Sequence, residues 1–192
     1  MEKIIKNGKL SKAPKIFVIT GAESTGKSEL TKWLADYFSV PFIPEYARTY
    51  VAGLNRKYSY EDVELIAKMQ VRQINSYKNS NQPLIFVDTW LIITKIWFDV
   101  VFGKEPCWLE REILNTPVEL FLVCNTDLPW EPDPVRENGG ENRLILHNRY
   151  IETIEKYKFN YNLISGTGTD RFKKALNSVK LQNKINNQGD PL

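Results

Sequence analysis

The chain has 192 residues, 42% hydrophobic and 26% charged, the make-up of one globular domain, which excludes a disordered or collagen-like chain. Its 26 basic residues against 23 acidic leave a formal charge of +3, which suits an anionic small molecule and is too mild to argue for nucleic acid. A single histidine, His147, excludes HExxH and HxGH chemistry and histidine metal clusters, and Cys107 and Cys124 cannot build a secreted disulfide framework.

In chain order, residues 1–14 form a lysine-punctuated lead-in that ends at Pro14 and lacks the apolar run of a signal peptide. Lys15-Ile16-Phe17-Val18-Ile19-Thr20 is a β-branched run broken by Gly21, as a buried parallel strand is. A helix follows over 27–38, and Pro41-Phe42-Ile43-Pro44 reads as a short extended segment. Ser59 and Asp62 have capping-box spacing, after which Val63, Ile66, Ala67, Gln70 and Ile74 share one helical face. Leu84-Ile85-Phe86-Val87-Asp88 is a second buried strand closed by a carboxylate. Helices over 89–102 and 108–114 lead to a strand over 118–124, and residues 125–142 form a polar loop long enough to read as a lid. A helix over 143–158 carries His147 at helical spacing with Leu144, Ile151 and Ile154, a structural position. A strand over 161–164 and a helix from about 170 complete the order, and the stretch from about Gln182 reads as a flexible tail. The alternation predicts a single domain over 1–192 with its core at about 15–180. Its class is an α/β, three-layer fold with a mostly parallel sheet and a lid loop. The most apolar stretch, Leu91 to Phe102, contains Lys95 and Asp99 and is too short for a bilayer, so no membrane is expected and a cytoplasmic location is.

Gly21-Ala22-Glu23-Ser24-Thr25-Gly26-Lys27-Ser28 matches G-x-x-x-x-G-K-S, the Walker A loop, between a buried strand and a helix, which makes the expected α/β three-layer fold a P-loop NTPase fold. Its glycines let backbone N–H groups turn inward as an anion nest at a helix N-terminus. Lys27 supplies charge for the β/γ-phosphates of ATP, and the Ser28 hydroxyl completes a Mg²⁺ shell. The candidate nucleotide contacts are Gly21, Glu23, Ser24, Thr25, Gly26, Lys27, Ser28 and Glu29, with Arg136 from the lid. Asp88 is the candidate carboxylate for Mg²⁺; its rival role is an N-cap for the helix after it. Pro44-Glu45-Tyr46-Ala47-Arg48 follows the second strand, and open α/β sheets bind ligands beyond the carboxyl ends of their strands. Glu45 can there take a proton from an attacking hydroxyl, with Tyr46 and Arg48 beside it; the rival is a solvated Glu–Arg pair on a helix turn. The lid carries Asp127, Trp130, Asp133, Arg136 and Arg143. Its arginines can neutralise a transferring phosphoryl group, and Trp130 can stack on a planar ring. Ser165-Gly166-Thr167-Gly168 is either a plain strand–helix turn or, by likeness to P-loop kinases, a secondary candidate near the adenine. The candidate catalytic residues are Lys27, Glu45, Asp88 and Arg136.

With these residues assembled, about 15–180 resembles the ribosylnicotinamide kinase domain of the bacterial NadR family and its AAA-like P-loop ATPase relatives. The likeness rests on Gly21-x-Glu23-Ser24-x-Gly26-Lys27-Ser28, Pro44-Glu45-Tyr46-Ala47-Arg48, Asp88-Thr89 and Asp127-x-Pro129-Trp130-x-x-Asp133-x-x-Arg136. The resemblance implies ATP-dependent phosphorylation of the ribose 5′-hydroxyl of nicotinamide riboside, a step of NAD salvage. It implies an acceptor set of Glu45, Tyr46, Arg48, Asp88, Trp130 and Asp133, with Trp130 on the pyridinium ring and Asp127 or Asp133 near its charge. One departure stands out: Trp90 follows Asp88-Thr89 where the family has an acidic residue, which bears on one substrate or metal contact and leaves open whether the acceptor pocket is rebuilt. The chain has no room for the family's adenylyltransferase domain and no HxGH motif, so a free-standing kinase is expected. The alternatives are a nucleoside or nucleoside monophosphate kinase, for which Arg48 and Arg56 are available, and a nucleotide-dependent regulatory ATPase.

Overall fold

A computed structural model of the chain describes residues 13–132 and 139–187. The strands are β1 (Lys15–Gly21), β2 (Phe42–Ile43), β3 (Leu84–Asp88), β4 (Val118–Cys124) and β5 (Tyr161–Ile164). They form one 5-stranded sheet in the order β2-β3-β1-β4-β5, parallel at every pairing. The helices are α1 (Lys27–Phe38), α2 (Tyr46–Ala52), α3 (Tyr60–Ser76), α4 (Leu91–Trp97), α5 (Leu109–Asn115), α6 (Glu141–Lys156) and α7 (Gly168–Asn187). A π-helical turn, Phe98–Phe102, continues α4.

Side chains alternate across a strand, and β1 shows what that does here. Ile16 and Val18 pack with Val63 and Ala67 of α3, Leu91 of α4 and Ile154 of α6. Phe17 and Ile19 pack on the other face with Leu30 and Leu34 of α1 and Val179 of α7. A strand covered on both faces has no solvent side, so β1, β3 and β4 are apolar almost without a break. This is the three-layer α/β arrangement that the alternation predicts.

The boundaries differ from the sequence reading where the backbone turns. The helix expected from 89 begins at Leu91, because Thr89 adopts φ 67 and Trp90 is extended at φ −146. The end expected to be a flexible tail is helical as far as Asn187. Polar partners hold it there: Gln182 Nε2 donates to Glu119 Oε1 at 3.1 Å, and Lys15 Nζ donates to Asn183 Oδ1 at 3.2 Å. The capping box forms as expected, with Ser59 N–H donating to Asp62 Oδ2 at 2.7 Å and Asp62 N–H to Ser59 Oγ at 3.4 Å. Among the described residues no helix is long and apolar enough to cross a membrane. Most of the lead-in, residues 1–12, and residues 188–192 lie outside the described residues.

Gly21 ends β1 at the point where the chain must leave the sheet. Its φ is +139, and a β-carbon there would lie 2.6 Å from the carbonyl oxygen of Cys124 on β4. Gly21→Ala is therefore expected to destabilise the fold by more than about 1 kcal/mol. Urea unfolding should show a lower midpoint at unchanged slope.

Candidate active site

A cavity of about 440 Å³ opens at the carboxyl ends of β1 and β3. The loop between β1 and α1 supplies one side of it, and all of Gly21, Glu23, Ser24, Thr25, Gly26, Lys27, Ser28 and Glu29 line it. Ser24 at φ 54 and Gly26 at φ 72 are left-handed, the kind of alternation that gathers successive N–H groups into an anion nest.

Side chains take the carbonyl oxygens of this loop in turn. Lys27 Nζ and Thr25 Oγ1 donate to Ala22 O at 2.9 and 2.8 Å. Arg143 Nε donates to Glu23 O at 2.9 Å and its Nη2 to Ser24 O at 2.8 Å, while Nη1 donates to Leu128 O at 2.8 Å. Arg171 Nη2 donates to Thr25 O at 2.6 Å, and its Nη1 bridges to Asp127 Oδ1 at 2.7 Å and Gly166 O at 3.0 Å. Both arginines are buried. These contacts correct the lid reading. Arg143 is turned onto backbone carbonyls and does not line the cavity, and Asp127 pairs with Arg171 and accepts from Gly166 N–H at 2.5 Å. His147 is buried as a structural residue, and burial and then the Arg143 charge hold its pKa below the ordinary value. Arg171 carries no motif signal; its place on α7 brings it here.

Glu45 is the N-cap of α2 and lines the cavity, while Asp88 ends β3 just behind the wall. Burial pushes both carboxyls above their ordinary values; Lys27 pulls Glu45 down and Asp88 pushes it further up. Thr89 Oγ1 donates to Asp88 Oδ1 at 3.3 Å, and the nearby Ser28 hydroxyl and Lys27 charge partly offset the upward push of burial on Asp88. A hydroxyl and a carboxylate side by side at a helix N-terminus are hard oxygen donors that fit Mg²⁺.

The other side of the cavity is apolar and was not foreseen. Tyr58 and Trp97 meet edge to face at 4.7 Å, and Ile93, Val100, Val101 and Leu146 stand with them. Gln70 and Thr94 line it as buried polar residues. The available signal was Gln70, a polar residue on the apolar face of α3.

Several expected acceptor contacts fall elsewhere. Trp130 is half-buried against Gly139, where an added β-carbon would meet its ring at 3.2 Å, and it does not line the cavity. Tyr46 also lies outside the lining, its ring 5.9 Å from that of Tyr50; Arg48 is exposed and does line it. Trp90 does not rebuild the pocket: it is 1% exposed in the core, 6.4 Å from the Phe121 ring. Asp133 and Arg136 lie outside the described residues.

A family model described as an AAA domain matches residues 16–171. The chain is 26% identical over 168 residues to the trifunctional NAD biosynthesis/regulator protein NadR of Salmonella typhimurium and of Escherichia coli, across 84% of this chain and 41% of each of theirs. It thus spans less than half the length of the curated relatives it matches. A crystal structure of NadR in complex with NR superposes with a TM-score of 0.73 at 23% identity, covering 87% of this chain and 49% of that one. Thymidylate kinase from Ehrlichia chaffeensis superposes with a TM-score of 0.62 at 13% identity, covering 88% and 98%. The shared architecture is the P-loop fold of these proteins.

Glu45 carries a stability cost that pH exposes. Its folded pKa is raised, so the folded state holds this proton more tightly than the unfolded chain. The resulting stability is complete below the ordinary value of 4.5 and is lost as pH rises through the folded value. Glu45→Gln should therefore raise the melting temperature near pH 7, with the gain vanishing near pH 4, as read from thermal melts at both.

Proposed function

The chain belongs to the AAA domain family, and from that premise we propose that it is an ATP- and Mg²⁺-dependent small-molecule kinase acting on the ribose 5′-hydroxyl of nicotinamide riboside. The observation that carries this reading is the continuity of one cavity from the loop and Lys27, past Glu45, to an aromatic wall. A hydrolysing switch needs a phosphate site alone; a kinase needs a second compartment for the acceptor.

In this reading the loop N–H groups and Lys27 hold the β- and γ-phosphates, while Ser28 and Asp88 would hold Mg²⁺. The ion, when bound, supplies charge that lets an acceptor oxygen approach the phosphates. Among the described residues no group of three or more His, Cys, Asp and Glu side chains gathers as a metal site. Glu45 accepts the proton of the 5′-hydroxyl as that oxygen bonds to the γ-phosphorus and the bond to the β-phosphate oxygen breaks, releasing ADP. A carboxyl raised toward working pH is the better base for this step. Arg48 stands at the mouth for the phosphates, and Arg136 and Asp133 enter from the family pattern alone. Tyr58 and Trp97 take the aromatic role that the sequence assigned to Trp130, since a flat cation is held by ring faces.

The NAD-related relatives and the NadR–NR complex support a pyridine riboside over a nucleoside monophosphate. Among the described residues that line the cavity, Arg48 is the one arginine, too little for a second phosphate. Lys27→Ala should leave the melting temperature near wild type and cut phosphoryl transfer by about 100-fold or more. Glu45→Gln should lower kcat by about 100-fold. The assay is ATP-dependent product formation across nicotinamide riboside, nucleosides and nucleoside monophosphates. Transfer to a monophosphate with none to nicotinamide riboside overturns the acceptor assignment, and hydrolysis without any acceptor transfer overturns the kinase.

A further inference from the structure

We propose that Gln70 and Thr94 are specificity residues that read an acceptor ring carrying a carbonyl oxygen beside an N–H, as a carboxamide or a pyrimidine imide edge does. The inference rests on the reading of this cavity as the acceptor site. Gln70 is 4% exposed and Thr94 2%, and both line the cavity. Each sits on an otherwise apolar helix face: Val63, Ile66, Ala67 and Ile74 flank Gln70 on α3, and Leu91 and Ile92 precede Thr94 on α4. A hydrocarbon side chain in either place would cost less to bury.

Thr94 Oγ1 donates to Gln70 Oε1 at 2.8 Å. That bond occupies the carbonyl end of the amide and fixes its plane. It uses the only hydroxyl hydrogen of Thr94 and leaves the oxygen's lone pairs. Among the described residues the Gln70 side chain makes no other hydrogen bond, so the Nε2 hydrogens remain for a ligand. The cavity floor therefore presents a donor, Gln70 Nε2, beside an acceptor, Thr94 Oγ1. A ring edge with C=O next to N–H satisfies both at once. A carboxylate offers no hydrogen to Thr94, and a bare ring satisfies neither; a site built on buried hydrogen bonds rejects such analogues because its own groups go unpaired. The Tyr58–Trp97 pair in the same wall supplies the apolar contact for the ring.

The test is calorimetric binding to the full chain of nicotinamide riboside, nicotinic acid riboside, unsubstituted pyridine riboside and thymidine. It uses the wild type, Gln70→Leu and the near-isosteric Gln70→Glu, with ATP affinity as the control for folding and phosphoryl transfer measured in parallel. The wild type should bind nicotinamide riboside or thymidine about 10- to 100-fold more tightly than pyridine riboside and nicotinic acid riboside. Either Gln70 variant should bring that ratio to about one while ATP affinity holds, a result that a purely structural α3–α4 lock would not produce. Which of the two tight ligands wins tells the carboxamide from the pyrimidine. A wild type without the preference, or a preference that survives in both variants, overturns the proposal. A ratio that collapses as expected without transfer to any acceptor supports this subsite and overturns the kinase reading instead.

Discussion

The carbonyl oxygens of Ala22, Glu23, Ser24 and Thr25 are all held by side-chain donors, and the character of the site follows from that. In a trans peptide the C=O and N–H point in opposite directions, so an oxygen held on one side presents the N–H on the other. The loop is thereby committed to donating, which is what a phosphate requires. Burying both Arg143 and Arg171 is costly in isolation, and the fan of carbonyls around each, with Asp127 on Arg171, offsets it. The arginines come from α6 and α7. The loop after β1 is thus held in part by residues from α6 and α7, far from it in the sequence.

The same arrangement accounts for neighbouring features that look unrelated in the sequence. His147 is buried beside Arg143, and burial first and the neighbouring charge second disfavour a positive imidazole, in line with its lowered pKa. Asp88 and Glu45 are carboxyls kept above their ordinary range by burial. Thr89 holds a β-branched residue at φ 67, a conformation that costs energy and is retained where the surroundings force it. Its N–H is taken by Ile19 O at 2.9 Å, and its hydroxyl by Asp88. Strain and buried carboxyls thus gather around the ends of β1 and β3.

Features legible in the sequence were those set by local rules. The runs of β1, β3 and β4, the α1 helix and the Ser59–Asp62 box follow from periodicity and spacing within a few residues. The loop was legible because its motif dictates backbone shape. Direction was not legible. Arg143 was seen as a charge on a lid, but only the packed α6 shows its guanidinium turned onto Glu23 and Ser24. Trp90 was seen as an aromatic replacing an acid, and the extended backbone there turns it into the core toward Phe121. The polar composition near Gln182 resembles a free end, and its partners Glu119 and Lys15 lie far away in the sequence.

The apolar wall is the part that no motif announces, and its construction shows why. Ile93, Trp97, Val100 and Val101 are spaced as one helical face and all line the cavity. The opposite side of the same segment is anchored: Phe98 and Phe102 pack their rings 4.9 and 5.5 Å from that of Tyr60. Lys95 is clamped by Glu105, and by Asp99 at 3.4 Å. Val100 and Val101 remain 51% and 47% exposed at the cavity mouth, inside a π-helical turn, a geometry found often at functional sites. Exposed valines on an otherwise anchored helix would be an idle liability on a closed surface, whereas at the rim of a ligand cavity they are positions a bound ring can cover. A wall carried on an anchored helix holds its side chains more closely than a loop does. In the proposed kinase reading, acceptor recognition therefore falls to α3 and α4 and the turn after them, and the loop after β1 is left to the phosphates.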